Sequence, residues 1–206
     1  EPFRSYKDLI NIHRIDVPSV DAGVTGDPLE TTLRNTPLGM RFWCAGIERF
    51  LCADMQQVKN HAANAPGVEI ILAAANSEKY GGGGFYFDGV ATLAARNYSS
   101  LELALHEVGH SFALLDDEYE SPGTYCGDRA NVSTVDAVSM MSGKSKWFRW
   151  LDLAHVGAFE GACYQSTGIY RPTEDSKMRS LGRPFEEINS EQIVLSIYKH
   201  VRPIDR

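Results

Sequence analysis

The chain has 206 residues, a formal net charge of −7 and 43% hydrophobic residues. A chain of this length can bury a hydrophobic core without disulfides or metal ions, and we expect a single domain. The charged fraction of 23% is close to the globular average, which excludes a disordered or fibrous chain. The negative charge argues against nucleic acid as a partner, and no apolar run reaches the ~18 residues that a membrane span needs.

Three elements are predicted in the first third of the chain. Alternating apolar residues near 8–17 predict a strand, which a long loop rich in glycine and proline follows. Asp54 is typical of an N-cap and predicts a helix over about 54–64. The continuous apolar run within 68–75 then predicts a buried central strand.

Four consecutive glycines, Gly81 to Gly84, follow this strand. They lack the lysine and the hydroxyl residue of a phosphate-binding loop. Two interpretations remain open. The run is either a flexible turn, or a strand edge without side chains that lets another backbone approach closely. In the second case an extended peptide could add to the sheet at this edge.

The stretch 99–112 predicts a helix that carries two histidines. Ser99 and Glu102 have capping-box spacing, and helical periodicity predicts a buried apolar stripe of Leu101, Leu105, Val108 and Phe112. His106 and His110 are four residues apart, so both imidazoles project from one helix face and can bind one Zn²⁺ at ~2.1 Å. Glu107 occupies the position of the general base in zinc peptidases with this HExxH motif.

An acidic run at 116–120 follows the helix and offers a third metal ligand. Asp116 has the offset of the third ligand in one class of HExxH peptidases, while Asp117 and Glu118 are further candidates. Ala113 stands where those enzymes carry a glycine that forms the turn. The same carboxylates could instead bind a structural Ca²⁺.

The C-terminal stretch predicts one more helix. Asn189 and Gln192 have capping-box spacing, and the helix is expected to extend toward Pro203. Its predicted inward-facing residues are Ile193, Val194, Ile197, Tyr198 and Val201.

The cysteines leave two alternatives. Cys44, Cys52, Cys126 and Cys163 lack the close spacing of a thiolate zinc site. They are either free or buried thiols, or they form two disulfides, with Cys44–Cys52 as the most local pairing.

The sequence resembles the bacterial metallopeptidase family that is named for cleaving immunoglobulin A. The similar blocks span nearly the whole chain in order: GVTGDP (23–28), NSEKYGGGGFY (76–86), HEVGHSFALLDDEY (106–119), KWFRWL (146–151), FEGACYQSTGIYRP (159–172) and SKMRSLGRPF (176–185). The resemblance implies an α/β protein of the α+β type with a metzincin-like fold, namely a twisted mixed sheet, an active-site helix and a smaller C-terminal subdomain. We expect one catalytic domain over 1–206, with an upper part at about 1–115 and a lower part at about 116–206.

The resemblance also implies site residues. His106 and His110 correspond to metal ligands and Glu107 to the catalytic acid and base. Asp117, the aspartate of the D-E-Y triplet, is preferred as third ligand, with Asp116 as the alternative. Met178 resembles the methionine of the turn below the zinc, although the Met140-Met141 pair competes for this role, and Tyr170 either contacts the oxyanion or only packs.

We therefore expect a zinc endopeptidase that hydrolyses protein or peptide substrates through attack of zinc-bound water, with Glu107 as general base and acid. The chain begins at Glu1-Pro2 without an initiator methionine or an apolar leader, so we expect a processed or trimmed chain that has lost its targeting signal. For such a peptidase we expect a monomer that is secreted, periplasmic or on the cell surface. Two alternatives remain. One is a non-catalytic module on a peptidase fold that binds a protein or glycan, and the other is a calcium-stabilised structural domain.

Overall fold

The structure is a computed structural model that describes residues 1–122 and 127–201. Its helices are α1 (Met55–Ala62), α2 (Ser100–Ala113), α3 (Ala137–Gly143) and α4 (Glu186–Tyr198). Its strands are β1 (Ile71–Ala75), β2 (Gly82–Phe85), β3 (Val90–Ala94), β4 (Phe159–Ala162) and β5 (Gln165–Arg171). This combination of helices and small sheets is compatible with the α+β class. No helix in the described residues is both long enough and apolar enough to cross a membrane.

Two compact units make up the chain. One contains residues 11–112, and the other contains residues 1–10 and 113–206. The first unit is built on a mixed three-stranded sheet of order β1-β3-β2, in which β1 runs parallel and β2 antiparallel to β3.

The prediction of a central strand within 68–75 is wrong in its position. That stretch forms β1, an edge strand with alternating burial, whereas β3 lies in the centre and is buried at every position. The physical reason lies in the side chains of β1. Three of its five residues are alanine, so little apolar surface is exposed to solvent when β1 lies at the edge of the sheet. The sequence pattern of β3, with a threonine in its middle, was not identified as a strand.

The predicted strand near 8–17 is also wrong. Residues 7–9 form a short 3-10 turn, and the residues that follow have no regular secondary structure and are mostly exposed, with Ile12 at 90%. Alternation alone does not make a strand where no neighbouring strand accepts its hydrogen bonds. The predicted helix at 54–64 is confirmed as α1, because the Asp54 carboxylate accepts hydrogen bonds from the backbone N–H groups of Gln56 and Gln57.

The irregular segment before α1 completes the core of the first unit. Its apolar side chains pack against the sheet and α1 in a cluster of Val24, Met40, Phe42, Leu51, Val58, Ala73, Ala75, Val90 and Ala94. A Cys44–Cys52 disulfide closes part of this segment, so of the two alternatives left open for these cysteines the disulfide holds, in its most local pairing. Cys163 is also disulfide-bonded, while Cys126 lies outside the described residues.

The second unit contains the β4–β5 hairpin and the helices α3 and α4. A cluster around Met140, Trp147, Val156 and Ile188 forms one part of its core. Helix α4 begins at Glu186, so the predicted cap at Asn189 is wrong. Asn189 lies inside the helix with its side chain buried, and its polar group serves a network described below. Of the predicted inward residues, Ile193 and Ile197 are buried, whereas Tyr198 is 40% exposed, and Pro203 lies outside the described residues.

Candidate metal site

Helix α2 carries the two histidines and Glu107, and all three side chains are buried. The helix begins at Ser100, next to the predicted capping serine. The predicted buried stripe is not observed, because Leu101 is 80% exposed and Leu105, Val108 and Phe112 are only half-buried. Leu103 is buried instead. The packed face of the helix therefore includes the residues of the motif, rather than an apolar stripe beside them.

The glycines of β2 explain how the helix lies so close to the sheet. A Cβ atom added at Gly82 would lie 3.2 Å from Oε1 of Glu107. At Gly84 it would lie 2.4 Å from the Cβ atom of His110 and 3.0 Å from the carbonyl oxygen of Glu107. Real Cβ atoms do not approach other atoms as closely as 2.4 Å, so a side chain at residue 84 would push the helix away.

The glycine run is a strand edge, as the second interpretation predicted. The backbone that approaches it belongs to this chain, because the Leu51 N–H donates to the Gly82 carbonyl and the Gly82 N–H donates to the Arg49 carbonyl. A Cβ at Gly81 would lie 2.2 Å from the Arg49 carbonyl oxygen. The edge is thus already paired at Gly82 by the chain itself.

The two imidazoles converge. Nε2 of His106 and Nε2 of His110 lie 3.1 Å apart, and their rings are perpendicular. Two nitrogens that share a tetrahedral ion at ~2.1 Å lie about 3.4 Å apart, so the observed separation fits a shared ion after a small adjustment. The Tyr86 hydroxyl hydrogen-bonds Nδ1 of His110 at 3.1 Å, and a proton on this Nδ1 leaves the Nε2 lone pair for a metal.

The chain leaves the helix through a turn without glycine. Ala113 is still helical and buried, and Leu114 adopts the left-handed conformation with φ of 57°. The side-chain amide of Gln192 donates to the Ala113 carbonyl at 3.1 Å and so satisfies one of the free carbonyls at the helix end. The turn is therefore made at Leu114, one residue after the position at which the sequence analysis expected a glycine.

Three buried carboxylates follow: Asp116, Asp117 and Glu118 are at most 5% exposed. Within this second unit, the Tyr164 hydroxyl donates to Oδ2 of Asp117, and the Cys163 N–H donates to the Asp117 carbonyl at 2.9 Å. Asp116 is held through its backbone, whose N–H and carbonyl both bond the Asn131 side chain. Most runs of acidic residues lie on the solvent-exposed surface, whereas these three carboxylates are buried.

Glu118 is completely buried and accepts three side-chain hydrogen bonds. Its donors are the amides of Asn131 and Asn189, both at 2.9 Å, and the hydroxyl of Ser176 at 2.7 Å. Burial raises the pKa of Glu118, and the three hydrogen bonds oppose that rise. With both oxygens engaged in this way, Glu118 is a poor candidate for a metal ligand or a calcium site.

The two methionine candidates differ in their surroundings. Met178 is fully buried, and its carbonyl accepts the Glu118 N–H at 2.9 Å. Met140 is equally buried, but it lies in α3 and packs with Trp147 in the core of the second unit. Its neighbour Met141 is 52% exposed. Tyr170 lies in β5, where its backbone pairs with Ser133.

Two imidazoles and one carboxylate, from His106, His110 and Asp117, are a donor set that could bind a metal ion. Sequence analysis named these three residues but missed the residues that support them. Tyr86 and Tyr164 belong to blocks that were noted only for their resemblance, and their roles depend on tertiary contacts. Asn131 carries no local pattern that could have identified it.

The comparison with protein families identifies a family that matches this chain. The model of the family described as IgA Peptidase M64 matches residues 1–154 and 151–197, which is most of the chain. In the comparison with curated proteins, none matches this chain.

Proposed function

Because the chain belongs to the IgA peptidase M64 family, we propose that it is a zinc-dependent endopeptidase that hydrolyses protein substrates. M64 peptidases are metallopeptidases, and a peptidase is a hydrolase that acts on peptide bonds. The observation that carries the proposal is the pair of buried imidazoles whose Nε2 atoms lie 3.1 Å apart on a helix that also bears Glu107. Two nitrogen donors and one oxygen donor suit Zn²⁺, whereas Ca²⁺ prefers six to eight oxygen ligands.

We assign the third ligand to Asp117. The donor set contains this residue rather than Asp116, whose carboxylate lies 4.0 Å from the Arg129 guanidinium. The Tyr164 hydroxyl donates to Oδ2 of Asp117 and so helps to orient this carboxylate as a ligand. A metzincin-like arrangement, with Met178 in the supporting turn, is part of the same proposal and is supported by the hydrogen bond between Met178 and Glu118.

Zinc bound in this site would polarise the substrate carbonyl and lower the pKa of a bound water toward ~7. Glu107 takes a proton from the attacking water as general base and then gives it to the leaving amine as general acid. Packing against Gly82 and Gly84 restricts the helix that carries Glu107. Tyr86 orients the His110 ring through Nδ1. In this mechanism Glu107 transfers the proton, while the two glycines and Tyr86 position the groups that take part.

The substrate backbone would pair with β2. Since Gly82 is already bonded to the chain's own residues 49–51, an added peptide strand would pair from Gly84 onward. We also propose a secreted, periplasmic or cell-surface location and a monomeric state. The Cys44–Cys52 disulfide supports the location, because disulfides persist in oxidising compartments.

The test is digestion of a panel of denatured proteins, together with immunoglobulin A, by the wild type, Glu107→Gln and the matched control Glu30→Gln, whose glutamate is exposed. We expect the wild type and the control to cleave, and Glu107→Gln to bind zinc but lose at least ~100-fold in rate, as is typical of a lost proton-transfer group. Zinc binding without cleavage by the wild type would favour a binding module. Calcium binding without zinc would favour the structural domain.

The ligand assignment has its own test. Metal content measured after dialysis should be one zinc per wild-type chain and should fall to near zero in His106→Ala, His110→Ala and Asp117→Ala. Asp116→Ala should keep its zinc. The opposite result for the two aspartates would transfer the third ligand to Asp116.

A further inference from the structure

A buried carboxylate next to the assigned third ligand has no part in the mechanism above. Glu118 has 0% exposure, and its side chain is contacted by Asn131, Ser176 and Asn189, which come from two loops and helix α4. A buried charge is costly unless it is fully hydrogen-bonded, so a carboxylate in this place needs a physical reason.

Both Glu118 oxygens must accept hydrogen bonds. Oε1 faces two amide N–H donors, one from Asn131 and one from Asn189. Oε2 faces Ser176, whose hydroxyl oxygen already accepts from the Met178 N–H at 3.1 Å and from Asn189 at 3.2 Å. A hydroxyl has two acceptor lone pairs and one proton, so the Ser176 proton has to go to Glu118. A glutamine at residue 118 could not satisfy all of these partners. If its amide N–H groups pointed at Ser176, they would face a hydroxyl oxygen that already accepts two hydrogen bonds.

The same network fixes the backbone on both sides of Asp117. Asn131 bonds the N–H and the carbonyl of Asp116 at 3.0 and 2.8 Å. The Cys163 N–H holds the Asp117 carbonyl, and the Met178 carbonyl accepts the Glu118 N–H. These hydrogen bonds restrain the backbone of Asp117, so the torsion angles that can still vary are those of its side chain.

From this arrangement we propose that Glu118 is a positioning residue, which joins the segment of Asp117 to the turn of Met178 and so fixes the backbone from which the Asp117 carboxylate binds the metal. The inference rests on the proposed function, because it assumes that Asp117 is a zinc ligand. Residues that orient metal ligands through hydrogen bonds typically change metal affinity about 10- to 100-fold when they are replaced.

The experiment compares Glu118→Gln with two controls in the full chain. Glu174→Gln makes the same chemical change at an exposed glutamate, and Ile193→Val weakens the core at a fully buried residue of α4. Three quantities are measured: urea stability of the metal-free protein, the zinc Kd by competition with a chromophoric chelator, and the visible absorption of the Co²⁺ form. The Co²⁺ spectrum reports coordination geometry, which a purely structural role would leave unchanged.

We expect Glu118→Gln to raise the zinc Kd about 10- to 100-fold and to alter the Co²⁺ spectrum. Ile193→Val should lower stability but keep both the Kd and the spectrum, and Glu174→Gln should match the wild type. If Glu118→Gln does not fold, Ser176→Ala replaces it, since it deletes one donor and keeps the carboxylate. A smaller change of Kd and spectrum in the same direction is then expected.

The outcomes separate this inference from the proposed function. A wild type that binds zinc through His106 and Asp117, together with a Glu118→Gln form that has the same Kd and spectrum, overturns the inference alone. Equal values for Ser176→Ala and wild type do the same if that variant has to be used. A wild type that binds no zinc, or that binds it unchanged after Asp117→Ala, overturns the proposed ligand set and the positioning role with it.

Discussion

Replacing Gly84 by alanine would test how β2 positions the histidines. The new methyl group would lie 2.4 Å from Cβ of His110 and 3.0 Å from the carbonyl oxygen of Glu107. Ordinary van der Waals contacts begin at 3.4 Å, so strand β2 or helix α2 has to move by roughly 1 Å. The clash is with the helix itself and with a Cβ atom, so rotation of a side chain cannot relieve it.

The magnitude follows from two general effects. Overpacking a tightly packed core by one methyl group typically costs about 1–3 kcal/mol of folding free energy. A displacement of roughly 1 Å at a catalytic group can cost about 100-fold in rate even when the fold survives. We therefore expect Gly84→Ala to lose stability in that range and to lose about 100-fold in kcat/KM, with weaker zinc binding.

The assay pairs urea unfolding with zinc titration and peptide hydrolysis. Gly143→Ala is the matched control, because its Cβ would meet the Ser145 hydroxyl at an ordinary 3.7 Å. Gly83→Ala is a second comparison, since its methyl would meet the edge of the Phe50 ring at 2.5 Å rather than the helix. We expect Gly83→Ala to lower stability while changing zinc affinity less than Gly84→Ala does.

A Gly84→Ala protein with wild-type stability and wild-type zinc affinity would refute the argument, because the close approach of β2 to α2 would then have no energetic consequence. Equal effects of Gly83→Ala and Gly84→Ala on zinc affinity would refute its second part. In that case the glycines would act only through the stability of the sheet.

Further predictions concern a titrating group, a histidine partner and a helix cap. Burial and the neighbouring charge of Glu187 raise the pKa of Glu186, so the folded state disfavours the ionised form of this carboxylate. The folding stability that the protonated form contributes is therefore lost as the pH rises through the pKa of the folded state. Urea unfolding should therefore show Glu186→Gln to be more stable than wild type at pH 7, with the gain disappearing below the ordinary pKa of 4.5. Tyr86→Phe should raise the zinc Kd by about tenfold without unfolding the protein, because His110 loses its hydrogen bond at Nδ1. Asp54→Ala should cost about 1 kcal/mol in urea unfolding through loss of the α1 cap, and its zinc Kd should equal that of the wild type.

The parts of the fold that could be predicted depend on neighbouring residues. Helix α1 begins directly after its capping aspartate, and α2 begins one residue after Ser99, the cap that its sequence pattern predicted, because caps act on the next three residues. The strand order depends on which segments come together in space. The apolar run of β1 therefore looked central, although β3 occupies the centre.

The candidate site divides in the same way. The spacing of His106 and His110 on one helix is enough to predict that their nitrogens converge, and these nitrogens do lie 3.1 Å apart. The bonds that hold Glu118 span 58 residues to Ser176 and 71 residues to Asn189, and no local pattern contains them. Asn189 was even interpreted as a helix cap, because a polar residue with a glutamine three positions later has the same pattern in both roles.

The turn after α2 forms with Leu114, rather than a glycine, in the left-handed conformation. Glycine is favoured in a turn because left-handed backbone costs it little, whereas the same conformation costs other residues roughly 1–2 kcal/mol. Leu114 takes that conformation here, so neighbouring contacts must offset the cost. The Gln192 amide bonded to the Ala113 carbonyl is one such contact, and it comes from helix α4 rather than from the turn itself. The end of α2 is thus supported by a side chain that lies 79 residues away in the sequence.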